Sequence, residues 1–170
     1  MSIITLQPTI INHAPTLFPI FSNAENVQFT NFKTFEDLES FTLFLERFLA
    51  IEKGSQLQYG PFSIYQNETI IGLCGLQQID LAKGKSELWY LLHKNYWAKG
   101  LTKEAVQILL AKGQQNSRLK TIYAESVSSN AASWRILETL GFIKTGEKAD
   151  GFAKGTITAD ISYYALDLRG

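Results

Sequence analysis

A chain of 170 residues with no net formal charge is the size of one domain, and its charge balance gives no bulk attraction to nucleic acid or to an anionic membrane. A single cysteine, Cys74, excludes an internal disulfide framework and is typical of a reducing, cytoplasmic setting. The N-terminus lacks the basic and apolar regions of a signal peptide, and no segment has the roughly 20 apolar residues of a membrane span. We therefore expect one domain over residues 1–170, with neither nucleic acid nor membrane as a partner.

The first third of the chain predicts one strand and two helices. A strand is expected over residues 3–11 and a short helix over 15–22. A longer helix is expected over 34–53, with Thr34 as its cap and Gly54 at its end. Its core face is indicated by apolar residues at helical spacing, namely Leu38, Phe41, Leu45, Phe48 and Leu49.

The middle of the chain predicts three strands in succession, over 59–65, 69–79 and 86–93. Because the turns between them are short, we expect an antiparallel meander.

The last part of the chain alternates between helices and strands. Gly113 is the predicted end of the first helix, and Gly141 stops the second. The strands ending at His93 and Val127 flank a helix, so a crossover should make them parallel neighbours. The predicted class is therefore α/β, with elements over 102–111 (helix), 120–127 (strand), 130–140 (helix), 142–147 (possible strand) and 158–168 (strand).

The connection between the strand at 86–93 and the helix at 102–111 is the first candidate site. A strand that leads through a loop into a helix leaves several backbone N–H groups unpaired, which suits phosphate oxygens. Gly100 allows a ligand to approach the backbone closely, and Thr102 can cap the helix. The amides of about residues 98–103 could ring a diphosphate, although one glycine also fits an ordinary strand-to-helix connection.

Two motifs resemble the acetyl-CoA-binding core of the GNAT N-acetyltransferases. Residues 87–105 read Glu-Leu-Trp-Tyr-Leu-Leu-His-Lys-Asn-Tyr-Trp-Ala-Lys-Gly-Leu-Thr-Lys-Glu-Ala, and residues 130–142 read Asn-Ala-Ala-Ser-Trp-Arg-Ile-Leu-Glu-Thr-Leu-Gly-Phe. Both are most similar to the branch typified by the ribosomal-protein alanine acetyltransferases RimJ and RimL. The resemblance covers nearly the whole chain in the right order. It implies a single GNAT domain: a mixed, mostly antiparallel sheet with a central splayed parallel strand pair and flanking helices.

The resemblance implies acetyl-CoA as the cosubstrate, and no metal is expected. The pantetheine arm would bond to the strand backbone near Leu91 and Leu92, where one amide would also hold the acetyl oxygen. The loop around Gly100 would hold the diphosphate, and the cofactor-binding residues there would be Trp97, Ala98, Lys99, Gly100, Leu101, Thr102 and Lys103.

The chain departs from the family's loop pattern at two of these positions. Ala98 replaces a common glycine, and Thr102 stands where a smaller residue is usual. A threonine there either crowds the phosphates or adds a hydroxyl donor, so the expected affinity for the cofactor stays open.

Asn130 and Ser133 lie three residues apart at a helix start and so point the same way. The resemblance places Asn130 against the pantetheine and lets Ser133 donate a hydrogen bond to the departing thiolate. Many GNAT enzymes have a tyrosine for that task at the position of Leu137, which this chain lacks. By themselves, Asn130 as a helix cap and Ser133 as a first-turn serine are the better interpretation of the two residues.

Glu87 is the candidate general base, because an amine must lose a proton before it attacks a thioester. It matches an acidic position often seen in this branch, and alternation places it on one strand face with Trp89 and Leu91. A solvated carboxylate at a strand start is the alternative. An N-terminal α-amine, with a pKa of about 7.7–8.0, needs less help than a lysine amine at about 10.4.

We therefore expect an acetyl-CoA-dependent N-acetyltransferase that transfers the acetyl group by direct attack of a primary amine. The favoured acceptor is a protein or peptide N-terminal α-amine. The alternatives are a small-molecule amine, such as an antibiotic, polyamine or amino acid, and a CoA-binding module without turnover. No His/Cys/Asp cluster has metal-ligand spacing. By analogy with the family, a homodimer is possible.

Overall fold

A seven-stranded mixed sheet organises the computed structural model, which describes residues 2–52 and 59–170. The strand order is β1-β2-β3-β4-β5-β7-β6. The strands are β1 (Ile4–Pro8), β2 (Phe62–Gln66), β3 (Thr69–Asp80), β4 (Lys85–Leu92), β5 (Thr121–Val127), β6 (Ile143–Lys154) and β7 (Ile157–Asp167). The α-helices are α1 (Ala14–Phe21), α2 (Ala24–Val27), α3 (Leu38–Glu52), α4 (Leu101–Gln114) and α5 (Ala131–Thr139). Within the described ranges no helix is long and apolar enough to cross a membrane.

The chain divides into two compact units. One comprises Met1–Gly75 and Tyr90–Leu109, and the other comprises Leu76–Trp89 and Leu110–Gly170. Because β3, β4 and α4 contribute residues to both, the units share continuous elements.

The first unit is built on α1, α3 and the antiparallel strands β1 and β2. Aromatic side chains fill its core: Phe21 lies 4.8 Å from Phe41 between ring centroids, and Phe35 lies 5.4 Å from Phe41. Cys74, on β3, is fully buried, as expected of a strand residue, and burial raises the pKa of its thiol. The first strand was expected over residues 3–11, but β1 ends at Pro8 and a 3-10 helix follows at Ile11–His13.

The predicted start of α3 is wrong by four residues. Asp37, not Thr34, caps the helix: its carboxylate accepts hydrogen bonds from the Ser40 amide at 2.7 Å and the Ser40 hydroxyl at 2.9 Å. Aspartate is at least as good a cap as threonine, and its pKa is lowered by these bonds. The predicted end of this helix at Gly54 lies outside the described residues. The short α2 was not predicted; the Asn23 side chain caps it by accepting from the Glu25 amide at 2.9 Å.

The second unit confirms the predicted parallel pair. Lys85–Glu87 of β4 pair in parallel with Thr121–Tyr123 of β5, and β5 pairs antiparallel with β7 along its whole length. Ile122, Ala124 and Ser126 are buried on one face of β5. Side chains alternate along a strand, so Tyr123 and Glu125 lie on the other, more open face.

Two expectations about this unit need correction. Gly113 does not end α4 but lies inside it, buried, where a Cβ would meet the Leu119 and Leu76 side chains at 3.4 Å. β6 extends to Lys154, well beyond the predicted 142–147. It is the last strand of the sheet and mostly exposed, so it lacks the apolar alternation that would have revealed its length.

Candidate functional site

The loop between β4 and α4 holds two residues in the left-handed region. Ala98 has φ +58° and Gly100 has φ +76°. A Cβ at Gly100 would meet no protein atom within 4 Å, so the backbone there faces open space. Backbone of this kind turns successive N–H groups toward a common concavity, which binds anions.

The helix α4 begins directly after Gly100. The Gly100 carbonyl accepts the Glu104 amide at 3.2 Å, so Gly100 holds the cap position and the predicted capping role of Thr102 is wrong. Thr102 lies instead in the first helical turn. The amides of Leu101, Thr102 and Lys103 have no acceptor within the helix, because the first turn of any α-helix leaves its N–H groups unused. The positive end of the helix dipole adds to their attraction for an anion.

Side chains fix this loop at both ends. The Trp97 indole N–H donates to the Leu92 carbonyl at 2.8 Å, although the ring is 40% exposed. Leu101 is buried, which anchors the start of α4. Lys99 donates from its ammonium to the Asn95 carbonyl at 2.9 Å and lies over the Tyr96 ring. The loop therefore presents its backbone outward while its side chains hold its shape.

The end of β4 lies against β3. The His93 amide donates to the Ile71 carbonyl at 2.9 Å, and a Cβ added at Gly72 would clash with the Leu91 carbonyl oxygen. Both Leu91 and Leu92 have buried side chains. The parallel ladder with β5 covers only Lys85–Glu87 of β4, so the last five residues of β4 extend beyond it.

Glu87 is half-buried on the open face of β4. Gln77 donates from its amide nitrogen to Glu87 Oε1 at 3.3 Å. Burial, and secondly the negative charge of Glu125, raise the pKa of the Glu87 carboxyl, while the Gln77 hydrogen bond lowers it. A carboxylate with a raised pKa is a better proton acceptor.

Asn130 precedes α5 without using its side chain as a cap. Its backbone amide donates to the Val127 carbonyl at 2.8 Å, and its carbonyl accepts the Ser133 amide at 3.1 Å. The helix-cap interpretation of the Asn130 side chain is therefore wrong. Ser133 is half-buried in the first turn of α5, and Leu137 is fully buried in the core.

The predicted site residues divide between the two units. Leu91, Leu92 and the loop at 97–103 belong to the first, whereas Glu87, Asn130 and Ser133 belong to the second. Sequence reasoning missed Gln77 and Glu125. The available signal was alternation within their predicted strands, which becomes informative only once the strand register is known. Within 2–52 and 59–170, no group of three or more His, Cys, Asp or Glu residues could hold a metal ion.

The chain is similar to known proteins in sequence and in fold. The family model described as "Acetyltransferase (GNAT) domain" matches residues 4–143. The curated "Uncharacterized N-acetyltransferase p20" of Bacillus licheniformis is 29% identical over 153 residues, covering 87% of this chain and 86% of that protein.

Two solved structures share the fold. Spermidine N-acetyltransferase from Vibrio cholerae, in complex with CoA and spermine, superposes with a TM-score of 0.84 at 16% identity, covering 98% of this chain and 96% of that one. RimL, a ribosomal L7/L12 alpha-N-protein acetyltransferase in complex with coenzyme A, gives a TM-score of 0.86 at 14% identity, with 96% and 93% covered. At these identities the likeness concerns the fold.

Proposed function

This chain belongs to the GNAT acetyltransferases, and we propose that it transfers the acetyl group of acetyl-CoA to a primary amine by direct attack. The observation that carries the proposal is the open, left-handed backbone at Gly100, immediately before the first turn of α4. That arrangement suits the diphosphate of CoA, and both solved relatives described above hold this cofactor.

The loop residues 97–103 bind the diphosphate, mainly through backbone N–H groups. Gly100 is central, because any larger side chain would enter the space that the phosphates need. Thr102, in the first turn of α4, adds a hydroxyl donor beside its own amide. The ammonium groups of Lys99 and Lys103 add positive charge on the solvent side. The end of β4, at Leu91 and Leu92, offers its backbone to the pantetheine arm, as does the Asn130 side chain.

Glu87 accepts the proton that the amine must lose. The amine nitrogen then attacks the thioester carbonyl carbon to form a tetrahedral intermediate, and the carbon–sulfur bond breaks when this intermediate collapses. The second proton that the nitrogen loses passes to the departing thiolate, so the products are the amide and the CoA thiol. A backbone amide at Leu91 or Leu92 stabilises the oxyanion that forms in between. Ser133 donates a hydrogen bond to the departing thiolate. Support for Glu87 comes from its half-buried position and its raised pKa.

The favoured acceptor is a protein or peptide N-terminal α-amine. Such an amine has a pKa of about 7.7–8.0, so a single carboxylate base is sufficient near neutral pH. The likeness to RimL, described as an alpha-N-protein acetyltransferase, supports this choice. A small-molecule amine is the second candidate, and the likeness to spermidine N-acetyltransferase favours it. Cys74, buried and single, fits a cytoplasmic location for either activity.

The test is thiol release from acetyl-CoA with three acceptors: a peptide with a free N-terminus, the same peptide N-terminally blocked but containing lysine, and spermidine. We expect release with the first peptide only. Release with spermidine alone would make the small-molecule amine the substrate class. Calorimetric binding of acetyl-CoA without release for any acceptor would contradict the proposed activity.

A further inference from the structure

Two side chains outside the proposed chemistry face Glu87 from the neighbouring strands. Gln77, on β3, donates to Glu87 Oε1 at 3.3 Å. Glu125 lies on β5, whose Tyr123 is the register partner of Glu87. Because side chains alternate along a strand, Glu125 shares the face of Tyr123 and Glu87, one residue pair farther along.

The other charged and titratable groups that the structure describes on this face form no ion pair with Glu87. Lys85 directs its ammonium over the Tyr123 ring, 5.4 Å from the ring centroid. Tyr163, on β7, is the register partner of Glu125. Among the residues that the structure describes, no lysine or arginine forms a salt bridge with Glu87. Among the described residues, Glu125 therefore opposes the charged form of Glu87, and the neutral amide of Gln77 supports it with a hydrogen bond.

The backbone next to Gln77 carries local strain. Gln78 has φ +49° near the end of β3, a conformation that non-glycine residues avoid. Distortions of this kind in a strand turn the neighbouring side chain away from its regular direction and recur beside active sites. Here the neighbour is Gln77, whose amide reaches the carboxylate of Glu87.

We propose that Gln77 and Glu125 are positioning residues for Glu87: Gln77 holds one carboxylate oxygen in place, and Glu125 sets a negative charge on the same face of the sheet. The inference rests on the proposed role of Glu87 as the proton acceptor. With Oε1 held by Gln77, Oε2 is the oxygen left to take the proton of the amine.

The two residues act on the Glu87 pKa in opposite directions. Glu125 raises this pKa by charge repulsion, and the hydrogen bond from Gln77 lowers it. The base works only when deprotonated, so its pKa sets the acidic limb of the pH profile. Removing the Glu125 charge should move that limb to lower pH, and removing the Gln77 hydrogen bond should move it to higher pH.

The test is the pH profile of kcat/KM for the best acceptor, measured on Glu125→Gln and Gln77→Met. We expect the acidic limb to move in opposite directions in the two variants. Glu125→Asp, which keeps the charge, should return the limb toward its original position. Glu68→Gln, an exposed turn residue, controls for the change in net charge and should leave the limb where it was. Limbs that stay fixed in both variants, or move the same way, would overturn the inference.

A second measurement keeps the inference testable without activity. Titration of the Glu87 carboxyl carbon by 13C NMR in the full chain should show its pKa falling in Glu125→Gln and rising in Gln77→Met. An unchanged titration in both folded variants would refute the coupling. The proposed role of Glu87 as the base fails separately, if Glu87→Gln retains full turnover, and the proposed function fails if the unmodified chain releases no thiol with any acceptor. Loss of turnover in Glu87→Gln together with unmoved limbs in the other two variants would overturn only this inference.

Discussion

The loop at 97–103 and the Glu87 carboxylate differ in how they interact with charge: the loop attracts phosphate, and Glu87 accepts a proton. The loop uses backbone N–H groups fixed by left-handed residues and a helix start, so no single side chain supplies its attraction for phosphate. Glu87 is one side chain whose proton affinity depends on burial and on a neighbouring carboxylate. Changes in the loop should therefore alter binding of acetyl-CoA, and changes around Glu87 should alter the rate and its pH dependence.

Among the loop substitutions, Gly100→Glu should cause the largest loss of acetyl-CoA affinity. A carboxylate in the open space before α4 would occupy the phosphate position and repel the anion, so acetyl-CoA affinity should fall on the order of 100-fold, or about 2.7 kcal/mol. Isothermal titration calorimetry measures the loss. Gly155→Glu is the matched control, since Gly155 also has positive φ and open space, in the β6–β7 turn. Equal affinity in both variants would mean that the diphosphate binds elsewhere.

A smaller effect, on the rate alone, is expected for Ser133→Ala. A hydrogen bond to a charged group contributes about 1.5–3 kcal/mol, so kcat should fall by about tenfold or more if Ser133 serves the thiolate. The Kd for acetyl-CoA should change little. Ser129→Ala, in the exposed turn before α5, is the control. An unchanged kcat would remove Ser133 from the chemistry.

Trp97→Phe should have a modest effect on binding. The substitution keeps an aromatic ring but removes the hydrogen bond from the indole to the Leu92 carbonyl. A typical net value of about 1 kcal/mol corresponds to roughly fivefold weaker acetyl-CoA binding if the bond holds the loop in its binding shape. Affinity equal to that of the unmodified chain, measured by the same calorimetry, would show that the loop keeps its shape without this bond.

The smallest effect is expected for Ala98→Gly, which concerns the strain in the loop. Alanine at φ +58° is disfavoured by about 1 kcal/mol, so glycine should raise the free energy of unfolding by up to that amount. Ala111→Gly, at an exposed position in α4, should instead lower it by about 1 kcal/mol. Urea unfolding of both variants measures the two changes in the free energy of unfolding. A lower value for Ala98→Gly would contradict the claim that Ala98 is strained.

Much of the fold could be predicted because its signals are local. Helical spacing indicated α3, and the strand–helix–strand order indicated the parallel pair of β4 and β5. The predicted helix starts were less accurate. Asp37 and Gly100, rather than the expected Thr34 and Thr102, occupy the cap positions of α3 and α4. Gly113 was misread as the end of the helix because α4 continues one residue beyond it, to Gln114.

The site was predictable to a different extent in its two parts. The loop was selected as a candidate because a glycine precedes a helix start and because residues 87–105 resemble the GNAT core. The surroundings of Glu87 could not, because Gln77 and Glu125 meet it only through the register of three strands. Sequence alternation assigns a face to each strand but does not say which residues of two strands stand side by side.

The most direct test of the separation between cofactor binding and proton transfer uses the Glu87→Gln variant. One preparation of it is assayed for both acetyl-CoA binding and turnover. General base catalysis contributes at least about 100-fold, so kcat should fall by that factor while the Kd for acetyl-CoA stays within about twofold of that of the unmodified chain. A turnover that persists, or an affinity that falls together with the rate, would contradict the separation of cofactor binding from proton transfer.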